Sequence, residues 1–456
     1  MLLFVASQWG LLIAQLMLSL SILVVVHEFG HFITAKWFGC RVEKFYLFFD
    51  PYFSLFKKKV GETEYGIGWL PLGGYVKISG MVDESMDKEQ LNKPAESWEF
   101  RSKPAWQRLI IMLGGVIMNI ITAFVIYMAI CMVWGIKSVP NNSLKYGIAV
   151  QDSLMYDIGF KNGDKIKSVN DQPIEDFNKL PLKLILGDHA VVERDGKEET
   201  IALPENFIGQ LVEKKRNRIP LATVRVEPLI LFVSDSSGAK TAGMKVGDRI
   251  VAIDSTPIRF FDEIKTFVQP KKNDSVLVSY LRNGQQYSQS VLVSDEGQLG
   301  VLGAVTAHQC DSLGYAKLDT TKYGFFASIP AAAGLAKEKL SNQVAQLKKI
   351  FSPKTGGYKA VGGFKSMASI FNPYEWDWED FWTMTAMLSI LLAVMNLLPI
   401  PALDGGHVVF TLIEMITGRK PNQKILEYAQ IAGMIILLAL MLYANLNDFF
   451  GYGKGR

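Results

Sequence analysis

Ile22-Leu-Val-Val-Val-His-Glu-Phe-Gly-His31 sets two imidazoles and a carboxylate directly behind the most apolar run of the N-terminal region. A charged side chain at the centre of a bilayer costs ~2.5–3.5 kcal/mol on insertion scales, so ionisable groups in such a run mark function unless they merely sit at its edge. On a helix, His27 and His31 are one turn apart on one face, and Glu28 lies ~100° round the axis. Both rings can therefore hold one Zn2+, with Glu28 placed as general base toward a water there. Two histidines snorkelling at a span's end are the bland alternative. Against it, the chain has only five histidines, and two of them bracket a glutamate here.

That run opens the first of four stretches without Asp, Glu, Lys or Arg: before Glu28, between Arg108 and Lys137, between Asp380 and Asp404, and between Glu427 and Asp448. Each is near or above the ~20 residues that cross a hydrocarbon core. The expected fold class is a polytopic α-helical membrane protein with four transmembrane helices, near 9–33, 107–136, 380–418 (interrupted) and 426–447. The first is read as retained: it lacks the basic start and the small-residue cleavage site of a signal peptide. At 456 residues, 49% hydrophobic and 20% charged, the chain is too apolar for disorder. A net charge of +4 beside such spans gives no nucleic-acid partner. Cys40, Cys131 and Cys310 stand too far apart for a cysteine zinc motif, and a disulfide framework is not expected.

Lys36, Arg41, Lys44, Lys57-Lys58-Lys59, Arg101, Lys103 and Arg108 lie between spans one and two, which makes that loop cytoplasmic. Arg419, Lys420 and Lys424 agree between spans three and four; Lys454 and Arg456 pull weakly the other way. Residues 138–379 and both termini then face the far side, with the site toward the cytoplasmic side. After the site's histidines, a third ligand must reach the same depth. Span three reads Asn396-Leu-Leu-Pro-Ile-Pro-Ala-Leu-Asp-Gly-Gly-His407, and non-helical backbone is tolerated in a membrane only where protein or a wet cavity surrounds it. Asp404 is the natural carboxylate ligand. His407 is its competitor, because catalytic zinc is held either by two histidines and a carboxylate or by three histidines.

The far-side segment contains a repeat. Residues 159–174, GFKNGDKIKSVNDQPI, align with 243–258, GMKVGDRIVAIDSTPI, at seven identities in sixteen positions. Both copies resemble PDZ domains, modules that bind extended peptides or chain ends by adding a strand to a sheet edge; a size filter is the equal alternative. Leu340, Val344, Leu347 and Phe351 then recur at helical spacing as an amphipathic helix, packed on protein or laid on the lipid bilayer.

HEFGH in span one, NxxPxPxLDGG in span three and the tandem repeat between spans two and three together resemble the site-2 protease family over essentially the whole chain. The resemblance implies Zn2+ held by His27, His31 and Asp404, catalysis by Glu28, and a substrate or oxyanion contact from Asn396. Gly115-Val-Ile-Met-Asn119 resembles the family's GxxxN motif and puts Asn119 in the substrate-binding set, although small residues also serve ordinary helix packing. Glu62-Thr-Glu-Tyr-Gly-Ile-Gly-Trp-Leu-Pro-Leu-Gly-Gly-Tyr-Val-Lys77 resembles the family's membrane-associated β-hairpin loop. Tyr65, Gly66, Ile67 and Gly68 are expected there as an open strand edge that holds substrate in extended form; a plain hairpin is the alternative. Phe45-Tyr-Leu-Phe-Phe-Asp-Pro51 departs from the family by lacking the glycines of an FSIGFGP-like segment.

The expected divisions are 1–40 for span one, 41–104 for the cytoplasmic β-rich loop, 105–137 for span two, 138–225 and 226–310 for the PDZ-like domains, 311–379 for the amphipathic helix and linker, 380–418 for broken span three, and 426–448 for span four. The resemblance implies a zinc metalloendopeptidase of a bacterial inner membrane, with PDZ domains in the periplasm. It would cleave single-pass membrane proteins of anti-sigma-factor type, or remnant signal peptides, after a first cut by another protease. A catalytically inactive PDZ-bearing scaffold and a metal transporter are the rivals. Intact HEFGH and Asp404 oppose the first, and the stretches of spans two and four between Arg108 and Lys137 and between Glu427 and Asp448, which hold no Asp, Glu, Lys or Arg, oppose the second.

Overall fold

The computed structural model describes residues 2–71, 73–81, 94–213, 220–419 and 422–451, and of residues 2–7 and 423 the backbone alone. Leu72, Lys420, Lys454 and Arg456, used in the sequence reading, lie outside the described residues. The chain divides into two compact units, one of Met1–Gly135, Lys322–Lys348 and Val361–Gly451, the other including Ile136–Thr321 and Lys349–Ala360.

The first unit is built on helices α1 (Leu2–Trp37), α2 (Ala105–Val133), most of α3 (Phe325–Phe351), α4 (Trp378–Asn396), α5 (Asp404–Thr417) and α6 (Gln423–Phe450). Among the described residues three segments are long and apolar enough to cross a membrane: Gln8–Trp37, Ala105–Val133 and Lys424–Phe450. Their exposed Leu, Ile, Val and Phe side chains suit lipid, which repays apolar surface as water does not. The stretch read as an interrupted third span is α4 and α5, joined by residues 397–403. Asp377 caps α4 by accepting from the N–H groups of Glu379 and Asp380. Pro399 and Pro401 have no N–H with which to continue it.

Helix α2 packs along α1, α4 and α5. It meets α1 backbone to backbone: a Cβ built on Gly30 would fall 2.2 Å from the carbonyl oxygen of Gly114, and one on Gly114 would fall 2.5 Å from that of Gly30. Glycine on both sides is what permits this approach.

Between α1 and α2 lies a four-stranded sheet of β1 (Val42–Leu47), β2 (Phe49–Val60), β3 (Thr63–Leu70) and β4 (Tyr75–Ile78), in the order β2-β3-β1-β4. β1 and β3 run parallel; the other pairs are antiparallel.

The second unit holds two copies of one topology. The first copy has β5 (Ile148–Val150), β6 (Lys165–Val169), β7 (Gln172–Pro173), β8 (His189–Arg194), β9 (Lys197–Ala202) and β10 (Ala222–Val224). The second has β11 (Phe232–Val233), β12 (Arg249–Ile253), β13 (Thr256–Pro257), β14 (Ser275–Arg282), β15 (Gln285–Leu292) and β16 (Val301–Leu302). Each forms a four-stranded sheet, β9-β8-β6-β7 and β13-β12-β14-β15, and pairs its first strand with its last, β5 with β10 and β11 with β16. The Gly-Asp turn explains itself in both copies. Asp164 and Asp248 are buried, accept from the backbone N–H of Lys161 and Lys245, and pair with Arg194 and Arg282. Those arginines also donate to the carbonyls of Gly159 and Gly243.

The expected amphipathic helix falls within α3, which starts earlier, at Phe325. Leu340, Val344 and Phe351 are exposed on it.

Candidate metal centre

His27 and His31 come from successive turns of α1, and Asp404 is the first residue of α5, delivered by the proline-broken loop. The His27 and His31 Nε2 atoms are 3.3 Å apart. Asp404 Oδ2 lies 3.2 Å from the first and 3.3 Å from the second, forming a nearly equilateral triangle. Zinc binds such ligands at ~2.0–2.1 Å, and tetrahedral angles then space them about 3.3 Å apart. The triangle therefore has the size of one face of a zinc tetrahedron, and two imidazoles with a carboxylate are a donor set that zinc takes. Among the described residues this is the group of His, Cys, Asp and Glu side chains gathered closely enough to hold an ion, and His407 is not in it. Asp404 Oδ2 is buried with no hydrogen-bond partner, which a cation would supply.

Neighbouring elements orient the rings. The backbone carbonyl of Ile111 on α2 lies 2.8 Å from His31 Nδ1. A carbonyl only accepts, so Nδ1 carries the proton and Nε2 keeps its lone pair for a metal. Asn119, also on α2 and fully buried, has its amide nitrogen 3.1 Å from His27 Nδ1. Gly115 leaves room for both rings: a Cβ there would come within 2.5 Å of His27 Cε1 and of His31 Nε2. The side-chain amide of Asn396, the last residue of α4, lies 3.3 Å from His27 Nε2. Ala402, two residues before Asp404, has φ +86°, a conformation that an alanine holds only where its surroundings impose it.

Glu28 faces the sheet. Its carboxylate interacts with the backbone N–H of Val76 on β4 and lies near His31, His27 and Asp404. A Cβ on Gly74 would approach its Cγ to 3.3 Å. On the same sheet Tyr75 donates to Asp50 Oδ1 at 2.8 Å, and burial together with the Asp50 charge pushes its phenol up.

The sheet corrects one expectation. Tyr65, Gly66, Ile67 and Gly68 lie on β3, which pairs with β1 on one side and β2 on the other. A strand paired on both sides has no free backbone groups with which to hold a further strand. The edges are β2 and β4, and β4 is the one that touches Glu28. Asn119, expected to face substrate, is instead buried against His27. No sequence pattern pointed to Val76 or to the Ile111 carbonyl; backbone groups leave no signal in residue type.

The sequence profile of peptidase family M50 matches residues 15–440. Regulator of sigma-E protease RseP of Escherichia coli is 27% identical over 454 residues, which cover 97% of this chain and 98% of that one. RseP of Salmonella typhimurium is 27% identical over 467 residues, covering 97% and 98%. A Vibrio cholerae protein provisionally named a zinc metalloprotease is 29% identical over 454 residues, covering 95% of this chain and 97% of its own.

Proposed function

Since the chain belongs to peptidase family M50, we propose that it is an intramembrane zinc endopeptidase that hydrolyses a peptide bond within or beside the transmembrane segment of single-pass proteins. The observation that carries this reading is the triangle of His27, His31 and Asp404 donor atoms at 3.2–3.3 Å, with Glu28 beside it, directly behind the apolar run of α1. The names of the Escherichia coli and Salmonella relatives support a role in sigma-factor regulation, with anti-sigma factors as the substrate type and remnant signal peptides as further candidates. In this reading α4 and α5 together make a fourth crossing. The two repeat copies are PDZ domains on the periplasmic side of an inner membrane; they exclude uncut substrates by size or take a newly made chain end.

His27, His31 and Asp404 would hold the zinc. When bound, zinc supplies Lewis acidity that polarises a carbonyl and makes water acidic. Glu28 accepts a proton from the attacking water and returns it to the departing amide nitrogen. The Asn396 amide donates to the carbonyl oxygen as it gains charge. A helical substrate hides its carbonyls in i to i−4 hydrogen bonds, so it must be extended first. The free edge of β4, beside Glu28, is where such a strand would add.

Purified protein given a single-pass model substrate should cleave it, and Glu28→Gln should abolish cleavage with zinc content unchanged. Cleavage that survives in that variant removes the mechanism. Wild-type protein that binds no zinc removes the reading altogether.

A further inference from the structure

Helix α2 presents Ile111, Gly115 and Asn119 at intervals of four, a single stripe along the helix. The first supplies a carbonyl to His31 Nδ1, and the second leaves space for both rings. The third is fully buried, places its amide nitrogen 3.1 Å from His27 Nδ1, and leaves its Oδ1 buried with no hydrogen-bond partner. Its backbone is held as well, because Ser389 Oγ on α4 donates to the Asn119 carbonyl at 2.7 Å, also in the buried interior. Those contacts leave Asn119 no open surface on which to meet a substrate.

An imidazole that gives Nε2 to a cation carries its proton on Nδ1 and is a donor there. Its partner must then be an acceptor. An asparagine amide offers either end to a neighbour by a half turn about its Cβ–Cγ bond. We propose that Asn119 is a positioning residue: its carbonyl oxygen accepts the Nδ1 proton of His27 and so holds the Nε2 lone pair of that ring toward Asp404 and His31. With Ile111 doing the same for His31, one stripe of α2 sets the tautomer of both imidazoles. The inference rests on the metal reading above, and its test separates the two.

Zinc affinity of the full-length chain, purified in detergent and stripped of metal, is measured by competition with a chelating dye, alongside the visible spectrum of the cobalt-loaded form. Asn119→Leu removes the acceptor at similar volume and should weaken zinc binding about 10- to 100-fold, the usual cost of losing such a partner. Asn119→Asp keeps an oxygen in place and should stay within about threefold of the wild type, with an unchanged cobalt spectrum. Asn119→Asp as weak as Asn119→Leu would make the amide nitrogen the working end and overturn the proposal. Wild-type zinc affinity in Asn119→Leu, with only KM raised, would return the residue to substrate binding. If Asn119→Leu fails to fold, Asn119→Asp decides alone, because a loss of affinity there refutes the acceptor role and retention supports it. A wild-type chain that takes no zinc refutes the metal reading instead.

Discussion

A methyl group at position 115 would compete with the site for the same space. The Cβ of Gly115→Ala would stand 2.5 Å from His27 Cε1 and His31 Nε2, and 2.7 Å from His27 Nδ1, so both rings would have to swing away and the donor triangle would open. Alanine favours a helix interior over glycine by ~0.5–1 kcal/mol, so helix propensity alone would stabilise the variant. A loss therefore has to come from the rings. Gly115→Ala should lose at least about tenfold in zinc affinity while keeping its helix content. Gly10→Ala, where a Cβ meets nothing within 4 Å, should be silent in the same titration. The candidate ligands were legible at this scale because two histidines at i and i+4, and an aspartate in a proline-broken apolar stretch, have no cheap explanation inside a membrane. Gly115 was legible only as a weak packing motif, since the reason for it, two rings on another helix, lies 84 or more residues away in the chain.

Among elements, the contact with the most consequence is the buried pair between Arg108 on α2 and Glu414 on α5. Arg108 counted in the sequence as one more positive charge of a cytoplasmic loop. It is instead neutralised in the interior, with side-chain exposures of 12% and 9% for the two partners. Glu414 lies on the helix that opens with Asp404, so the pair fixes α5, and with it the third candidate ligand, against the helix that orients the histidines. Removing one partner of a buried pair strands the other charge and costs ~3–5 kcal/mol. Glu414→Leu should therefore lower the thermal unfolding temperature in detergent and release zinc more readily, and the exchanged pair Arg108→Glu with Glu414→Arg should recover most of both. An exchanged pair no better than the single variant would mean that the contact is incidental. Strand order was the part of this scale that the sequence hid. Thr63–Leu70 reads as one hairpin arm, yet β1 adds beside it in parallel. That pairing moves the open edge from Tyr65–Gly68 to Tyr75–Ile78.

For the whole molecule, the repeat was legible because a buried aspartate in each Gly-Asp turn demands the same surroundings twice. The arginines that meet it, Arg194 and Arg282, lie outside the aligned sixteen residues and were not. The number of crossings is where sequence and structure leave the sharpest experiment. Three helices meet the length and apolarity of a span, and α4 with α5 supplies a fourth crossing only if the break at 397–403 sits within the bilayer. Parity turns this into a yes-or-no question. With four crossings the chain's two ends share a side with the repeats; with three, the end of α6 shares a side with the sheet of β1–β4. Single cysteines at Lys58 on β2, Lys240 in the second repeat copy and Phe450 at the end of α6 are all at exposed positions, and the native cysteines are buried. A membrane-impermeant thiol reagent applied to intact spheroplasts should label Lys240→Cys and Phe450→Cys but spare Lys58→Cys until the cells are opened. Labelling of Phe450→Cys only together with Lys58→Cys would mean that α4 and α5 do not traverse the bilayer, and would remove the fourth crossing. Asp404 would then have to reach the histidines of α1 from the membrane surface, a depth at which His27 and His31 would pay no burial cost and the argument from their place in the apolar run would lose its force.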